Sequence, residues 1–471
     1  MDSAFWIILS LLLSGVAPLK DINHKTCSSK FQGFMLLFVL CLVSVMCVTV
    51  GIRGKLNDHR KIENSSALIL DLHHVHGPCS PLNYTPPPIY ETLRLDQARV
   101  HALAARILPK ESKISQASAE TPLKSGQSIG VGNYIIALNL GTPPKSYLMV
   151  VDTGSVLTWL QCQPCLDCHS QLGPTYNPKA SSTYSTISCQ SNYCTELQEA
   201  TLNPSGCSAL GVCEYEASYG DRSFSLGYLS RDTLTIGRSF PGFIYGCGAR
   251  NVGLFGRSAG LTGLGRHPLS LVSQLAPTYG YIFSYCLPTP KSTGSLTLGP
   301  RSAGNSFYTP MYSMSSEPGL YFLHLIGINV DGQPLPVSQT VYTSSPTLLD
   351  SGTVITRLPE TVYTALKMVV LKRMPYARAP AFSILDTCFK ASTGALRVPE
   401  VVMVYEGPAQ MRLGSRNVFI EVDKGITCLA FAGTGTTGNG VSIIGNQQQQ
   451  GFDVTYDVDG KRIGFAAGAC G

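Results

Sequence analysis

Asp152 and Asp350 are the residues whose type and setting point most directly to chemistry. The first ends the apolar run Val150-Val151 and leads into Thr153-Gly154-Ser155-Val156-Leu157-Thr158-Trp159. The second ends Leu348-Leu349 and leads into Ser351-Gly352-Thr353-Val354-Ile355-Thr356-Arg357. Aligned on the aspartates, the two stretches agree in residue type at nearly every position, so each copy of an internal repeat delivers one carboxylate. A lone Asp-Ser-Gly marks a surface turn as readily as a site. Two copies, each behind a hydrophobic strand, favour a site over two structural turns left by duplication.

The chemistry follows from pairing. Two such loops facing each other set their carboxylates about 3 Å apart, where both cannot ionise. The pair then titrates as a unit, one member holding a proton and the other not. A water between them loses a proton to the ionised member while the protonated member hydrogen-bonds a substrate carbonyl, which is acid–base attack on an amide without a covalent intermediate. The small hydroxyl residue hydrogen-bonds across the pair without bulk, and the glycine is expected to turn the backbone with positive φ.

The elements that must position these loops are mostly strands. Tyr134 to Leu140 reads as one strand, Gly141-Thr142-Pro143-Pro144 as a turn, and Tyr147 to Val151 as a second strand buried on both faces. The 46 glycines and 30 prolines favour a β-rich fold with many turns. Two helices stand out. Ile89 to Leu108 carries Leu93, Leu95, Val100, Leu103 and Ile107 among charges, and Glu360 to Arg373 follows Pro359 with Val362, Ala365, Leu366, Val369 and Val370 on one face. The latter reads as a packing helix.

The net charge is +6, of which residues 1–125 carry +4, and no basic run points to nucleic acid. Twelve of the 16 cysteines lie from Cys162 to Cys470, which suggests six disulfides and an oxidising compartment. The rival reading is zinc, because Cys162-x-x-Cys165-x-x-Cys168-His169 has ligand-like spacing. The N-terminus argues for disulfides instead. Its apolar stretches Phe5 to Val16 and Phe34 to Ile52 suit a signal peptide, with cleavage near Gly51 the preferred reading. The second stretch is also long enough for an anchor, and a start at Met35 is a further alternative. Residues 53–125 read as a separate segment with glycosylation sequons at Asn64 and Asn83 and an exposed, cleavable polar stretch from Pro109 to Gln127.

With these residues in view, the chain resembles the pepsin-like aspartic endopeptidases, and among them the plant group that includes the nepenthesins. The resemblance spans roughly Gly132 to Cys470. It rests on Asp152-Thr153-Gly154-Ser155, Trp159, Tyr219-Gly220-Asp221, Asp350-Ser351-Gly352-Thr353, Leu261-Thr262-Gly263, Ile443-Ile444-Gly445 and the cysteine-rich stretch Cys189 to Cys213. Upstream, Asp71-Leu72-His73-His74-Val75-His76-Gly77-Pro78-Cys79-Ser80-Pro81 and Arg94-Leu95-Asp96-Gln97-Ala98-Arg99 resemble the propeptides of that group.

The resemblance implies a mostly β, bilobal fold with a cleft between two β-rich lobes. The segments would be a signal peptide or anchor (1–52), a propeptide (53–125), an N-terminal lobe with the cysteine-rich insertion (126–310) and a C-terminal lobe (311–471). Asp152 and Asp350 would be the catalytic dyad, supported by Gly154 and Gly352. Thr153 and Ser351 would tie the loops together, and Ser155 and Thr353 would hydrogen-bond the outer carboxylate oxygens. Tyr219 would sit on a hairpin flap backed by Trp159, and both would contact substrate. The implied disulfides are Cys162–Cys165, Cys168–Cys247, Cys189–Cys213, Cys194–Cys207, Cys286–Cys470 and Cys388–Cys428.

Three positions depart from the family pattern: Val156 beside the first loop, Arg222 near the flap tip, and Thr262, whose buried hydroxyl needs a partner. The implied activity is a peptide or protein substrate cut by a monomer that needs no cofactor or metal and binds no nucleic acid, made as a zymogen whose basic segment leaves on acidification. The membrane enters only through an uncleaved anchor. The expected location is the secretory pathway, extracellular (apoplast) or vacuolar, with plastid or membrane-anchored as alternatives. The contrasting reading is an inactive homologue that binds or inhibits a protein partner.

Overall fold

The computed structural model describes residues 67–77, 80–82, 87–107, 134–219, 223–253, 255–289, 292–301, 306–344, 347–435 and 441–468. The two leading apolar stretches, Asn64, Asn83, the 109–127 stretch, Gly220, Asp221, Arg222 and Cys470 lie outside the described residues. No helix among the described residues is long and apolar enough to cross a membrane.

The expected strand pair forms as Tyr134–Leu140 and Lys145–Asp152, antiparallel, with Ile135 opposite Val150 and Leu140 opposite Lys145. Met149, Val150 and Val151 are buried, as a strand apolar on both faces requires. The strand Gly260–Gly263 runs parallel to it, with Thr262 opposite Val151 and Gly263 opposite Asp152. The second half repeats the device: Thr347–Leu349 runs parallel to Ser442–Ile444, with Leu348 opposite Ile443. Both hydrophobic-hydrophobic-glycine elements therefore flank an aspartate strand. The duplication read in the sequence is a duplication of this three-part unit.

Among the described residues the largest sheet has 16 strands, and a leading strand, Leu68–His74, is built into its middle. On one side it pairs with Gly294–Leu298, Leu68 opposite Leu298. On the other it pairs with Tyr134–Leu140, His74 opposite Tyr134. The alternation Leu68, Leu70, Leu72 inward is the period-two pattern of a strand with one face on a core.

A helix, Ile89–Ile107, follows, with Glu91 in its first turn and Arg106 in its last, charges that suit the helix dipole. Leu93, Leu95, Val100, Leu103 and Ile107 are all buried; each such side chain contributes about 1.5–3 kcal/mol on leaving water. Leu93 packs with Val354 and Ile355, and Val100, Leu103 and Ile107 pack with Leu320, Phe322, Leu348 and Ile443. The helix thus lies on the C-terminal half beside the second aspartate loop. The helix Glu360–Arg373 starts at Pro359 as expected and buries Val362, Tyr363, Leu366 and Val370.

The disulfides correct four of the implied pairings. The bonds are Cys162–Cys247, Cys165–Cys168, Cys189–Cys207 and Cys194–Cys213, in place of Cys162–Cys165, Cys168–Cys247, Cys189–Cys213 and Cys194–Cys207. Strand Trp159–Gln161 runs parallel to Arg238–Val252 with Leu160 opposite Cys247, so Cys162 arrives beside Cys247, leaving Cys165 and Cys168 to each other. In the insertion the two buried sulfurs, Cys194 and Cys213, pair inside, and the more exposed Cys189 and Cys207 pair outside. Cys388–Cys428 forms as implied, between strand neighbours. Cys286 is disulfide-bonded.

Candidate active site

The two aspartate strands end at one place. The loops are cross-linked as the resemblance implied: Thr153 N–H donates to Ser351 Oγ (3.2 Å), and Ser351 N–H donates to Thr153 Oγ1 (2.9 Å). Asp152 and Asp350 are buried, 1% and 0% exposed. Each takes an N–H from the glycine two residues on, Gly154 to Asp152 Oδ1 and Gly352 to Asp350 Oδ1, both 3.1 Å.

The glycines are needed for room rather than for conformational freedom. Neither Gly154 nor Gly352 is among the residues with positive φ, which corrects the sequence expectation. A Cβ on Gly154 would fall on Arg99 Nη2 and Asp350 Oδ1, and one on Gly352 on the Arg99 guanidinium and Asp152 Oδ1.

That guanidinium was not foreseen. Arg99, on the leading helix and 1% exposed, donates through Nη2 to both Asp152 Oδ1 and Asp350 Oδ1 at 2.7 Å, and through Nε to Asp350 Oδ2 at 2.8 Å. Burial would raise the Asp350 carboxyl, but the Arg99 charge and its hydrogen bonds, with those from Thr353 and Gly352, hold it below the usual carboxylate range. The Arg99 guanidinium is pushed the other way: burial lowers it, and the two carboxylates more than offset that.

The helix carries a second buried charge. Asp96 accepts from Val354 N–H (2.5 Å), Ile355 N–H (3.3 Å) and Arg357 Nη2 (3.0 Å). The sequence held a signal for both residues. Asp96 falls on the same stripe as Leu93, Val100, Leu103 and Ile107, and Arg99 lies beside it, so charges occupy a face that is otherwise apolar. Asn446 and Gln449 were missed as well. Asn446 Nδ2 donates to Ser351 O (2.9 Å) and Gln449 Nε2 to Asp350 O (3.3 Å), bracing the backbone of the second loop.

The outer supports differ from expectation. Thr353 Oγ1 donates to Asp350 Oδ2 at 2.5 Å. The matching Ser155 hydroxyl does not reach its aspartate: Ser155 Oγ and Asp152 Oδ2 both lack a hydrogen-bond partner among the described residues. Thr262 Oγ1 likewise stays without one, so that substitution buries an unsatisfied hydroxyl. Val156 is buried in the apolar cluster beside the loop.

The hairpin of Cys213–Ser218 with Phe224–Ile236 carries Tyr219 at its turn end. Trp159 Nε1 donates to Tyr219 Oη at 2.6 Å, and both rings stack edgewise on Phe255. The two residues singled out as flap and backing partner are therefore in contact.

This arrangement can be set beside known proteins. Residues 134–300 match the family described as "Xylanase inhibitor N-terminal" and residues 320–467 the one described as "Xylanase inhibitor C-terminal". An aspartyl protease family protein of Arabidopsis thaliana is 43% identical over 414 residues, covering 85% of this chain and 87% of that protein. Aspartic proteinase nepenthesin-2 of Nepenthes gracilis is 32% identical, covering 89% of this chain and 94% of its own. The fold is shared with basic 7S globulin from soybean (22% identity, TM-score 0.58, covering 72% of this chain and 93% of that one) and with conglutin gamma from lupine seeds (20% identity, TM-score 0.56, covering 72% and 93%). Mostly β, with duplicated aspartate loops and this degree of identity to named proteases, the chain belongs to the pepsin-like aspartic endopeptidases of plants, in the group that includes the nepenthesins.

Proposed function

We propose that Asp152 and Asp350 are the catalytic dyad and that the chain is made as a zymogen whose leading segment shuts it. The observation that carries this reading is Arg99, which donates to both carboxylates at 2.7 Å. A guanidinium there occupies the position of the attacking water and engages an oxygen of each carboxylate, so no water can sit between them and no substrate carbonyl can reach them. Once the segment leaves, two buried carboxylates held by Thr153 and Ser351 cannot both stay charged. One takes a proton, a water enters, and the pair acts as base and acid in turn. Tyr219, held by Trp159, closes over the peptide and excludes bulk solvent, leaving the single water held by the dyad to attack. The disulfides support passage through the secretory pathway, to the cell exterior or the vacuole.

The test starts from full-length protein at neutral pH. It should not cut peptides, should become active on acidification with a new N-terminus between about Pro109 and Gly132, and should then be inhibited by pepstatin. Asp152→Asn and Asp350→Asn proteins should fold and cut nothing; more than a few per cent of residual activity in either rules out the dyad. A folded wild-type chain that stays inactive after segment removal, yet holds a protein partner, would establish the inactive-homologue reading instead.

A further inference from the structure

Arg357 is the largest buried charge in the second half that the dyad does not use. It is fully buried, on the short strand Thr356–Leu358. Its Nη1 donates to the backbone carbonyl of Ile355, two residues earlier (2.6 Å). Its Nη2 donates to Asp96 Oδ2 and Gln97 Oε1, both 3.0 Å, and both acceptors belong to the leading helix. Its Nε has no partner among the described residues. Beside it, the N–H groups of Val354 and Ile355 point at the same Asp96 carboxylate. The catalytic half thus supplies three converging donors and a spare fourth, and the leading segment supplies the anion.

Removal of the segment takes away Asp96 and Gln97 together and leaves a built carboxylate site with no carboxylate. A buried guanidinium stripped of its acceptors is costly, so the vacated site favours a replacement anion. Asp96 and Arg99 are three residues apart on one helix, about 4.5 Å along its axis. An extended peptide lying over the dyad covers that distance in fewer than two residues.

We propose that, in the mature enzyme, Val354 N–H, Ile355 N–H and the Arg357 guanidinium form a specificity subsite for an aspartate or glutamate side chain of the substrate, close to the scissile bond. This rests on the zymogen reading: Asp96 is then the segment's own stand-in for that acidic residue. The site acts through binding and orientation and takes no part in the proton transfers.

The experiment uses enzyme matured from the full chain and pairs of fluorogenic peptides identical except for Glu or Gln at one position, scanned over three residues on either side of the cut. At one position the Glu peptide should be favoured about 10- to 100-fold in kcat/KM at pH 5, the scale of charge-assisted hydrogen bonds. The preference should grow as the peptide Glu ionises, above about pH 4.3. In Arg357→Met the Glu-to-Gln ratio should fall towards one, and Arg357→Lys should retain part of it, Lys keeping the charge without the fork. Equal rates for Glu and Gln at every position in the wild-type enzyme, a measurement that needs no variant to fold, would overturn the proposal. So would an Arg357→Met enzyme that keeps the preference. Failure of the underlying reading looks different: neither peptide is cut, or cutting survives Asp152→Asn.

Discussion

The two aspartate loops have nearly the same sequence and are not used alike. Around Asp350, Arg99 grips both carboxylate oxygens, Thr353 donates to Oδ2, Gly352 to Oδ1, and Gln449 holds the backbone carbonyl. Around Asp152, Arg99 and Gly154 share Oδ1, while Oδ2 and the Ser155 hydroxyl have no partner among the described residues. The asymmetry comes from outside the repeat. The leading helix packs on the second half, so its guanidinium approaches from that side and meets Asp350 with two nitrogens and Asp152 with one. Duplication fixes where two carboxylates stand; the element that covers them decides how each is held.

Removing Arg99 should break this comparison most strongly. Arg99→Ala leaves two facing carboxylates with no cation between them, so full-length protein should cut peptides without an acid step, by at least about 10²-fold over wild-type zymogen, the scale of one group that controls access to the reacting centre. Zymogen assays at pH 6 would check it, and an Arg99→Ala chain as silent as wild type would mean that the helix shuts the site without the ion pair.

Tyr219→Phe removes only the hydroxyl that accepts from Trp159. With the flap less well oriented, kcat/KM of the matured enzyme should fall roughly 5- to 10-fold, about the value of one hydrogen bond, while Tyr219→Ala should cost about 10²-fold. The Tm should move little in Tyr219→Phe, which keeps the ring, and should fall in Tyr219→Ala, because the ring is buried against Trp159 and Phe255.

The loops themselves can be compared directly. Thr353→Val deletes a charge-assisted hydrogen bond to Asp350 and should lower kcat of the matured enzyme roughly 10-fold. Ser155→Ala deletes a hydroxyl with no bond to Asp152 and should cost clearly less. Equal losses, measured side by side, would mean that Ser155 reaches Asp152 Oδ2 once the helix has gone and that the asymmetry belongs to the zymogen alone.

The smallest effect concerns the acid release proposed above. Burial, and next to it the neighbouring His76, push His74 down to about 3; burial lowers His73 and His76 as well. A histidine lowered by docking binds protons better undocked. Its contribution to docking is therefore complete above the ordinary value near 6.5 and is lost as the pH falls from there towards 3. Asp350, held low while docked, adds to the same loss at the acid end. His74→Phe should shift the onset of activation to lower pH by up to about one unit, followed by N-terminal sequencing across a pH series. An unchanged onset would assign the trigger to Asp350 and its partners.

Much of this protein was legible in its residues because the relevant interactions are local. The buried strand Lys145–Asp152, the helices Ile89–Ile107 and Glu360–Arg373, and the repeat that names Asp152 and Asp350 all follow from short-range patterning and duplication. Thr153 and Ser351, Trp159 and Tyr219 came by resemblance and met as implied. What the sequence could not decide depends on which distant segments share a surface. Cys162 pairs with Cys247 because a parallel strand brings them together across 85 residues. Ser155 and Thr353 occupy equivalent positions but bond differently. Arg99 lies 53 residues from one aspartate and 251 from the other, so no spacing rule links them. A charge on an apolar helical stripe announces that a partner exists; only packing supplies the partner, because burial makes an unpaired charge too costly to leave and leaves its counter-charge to be chosen by the fold.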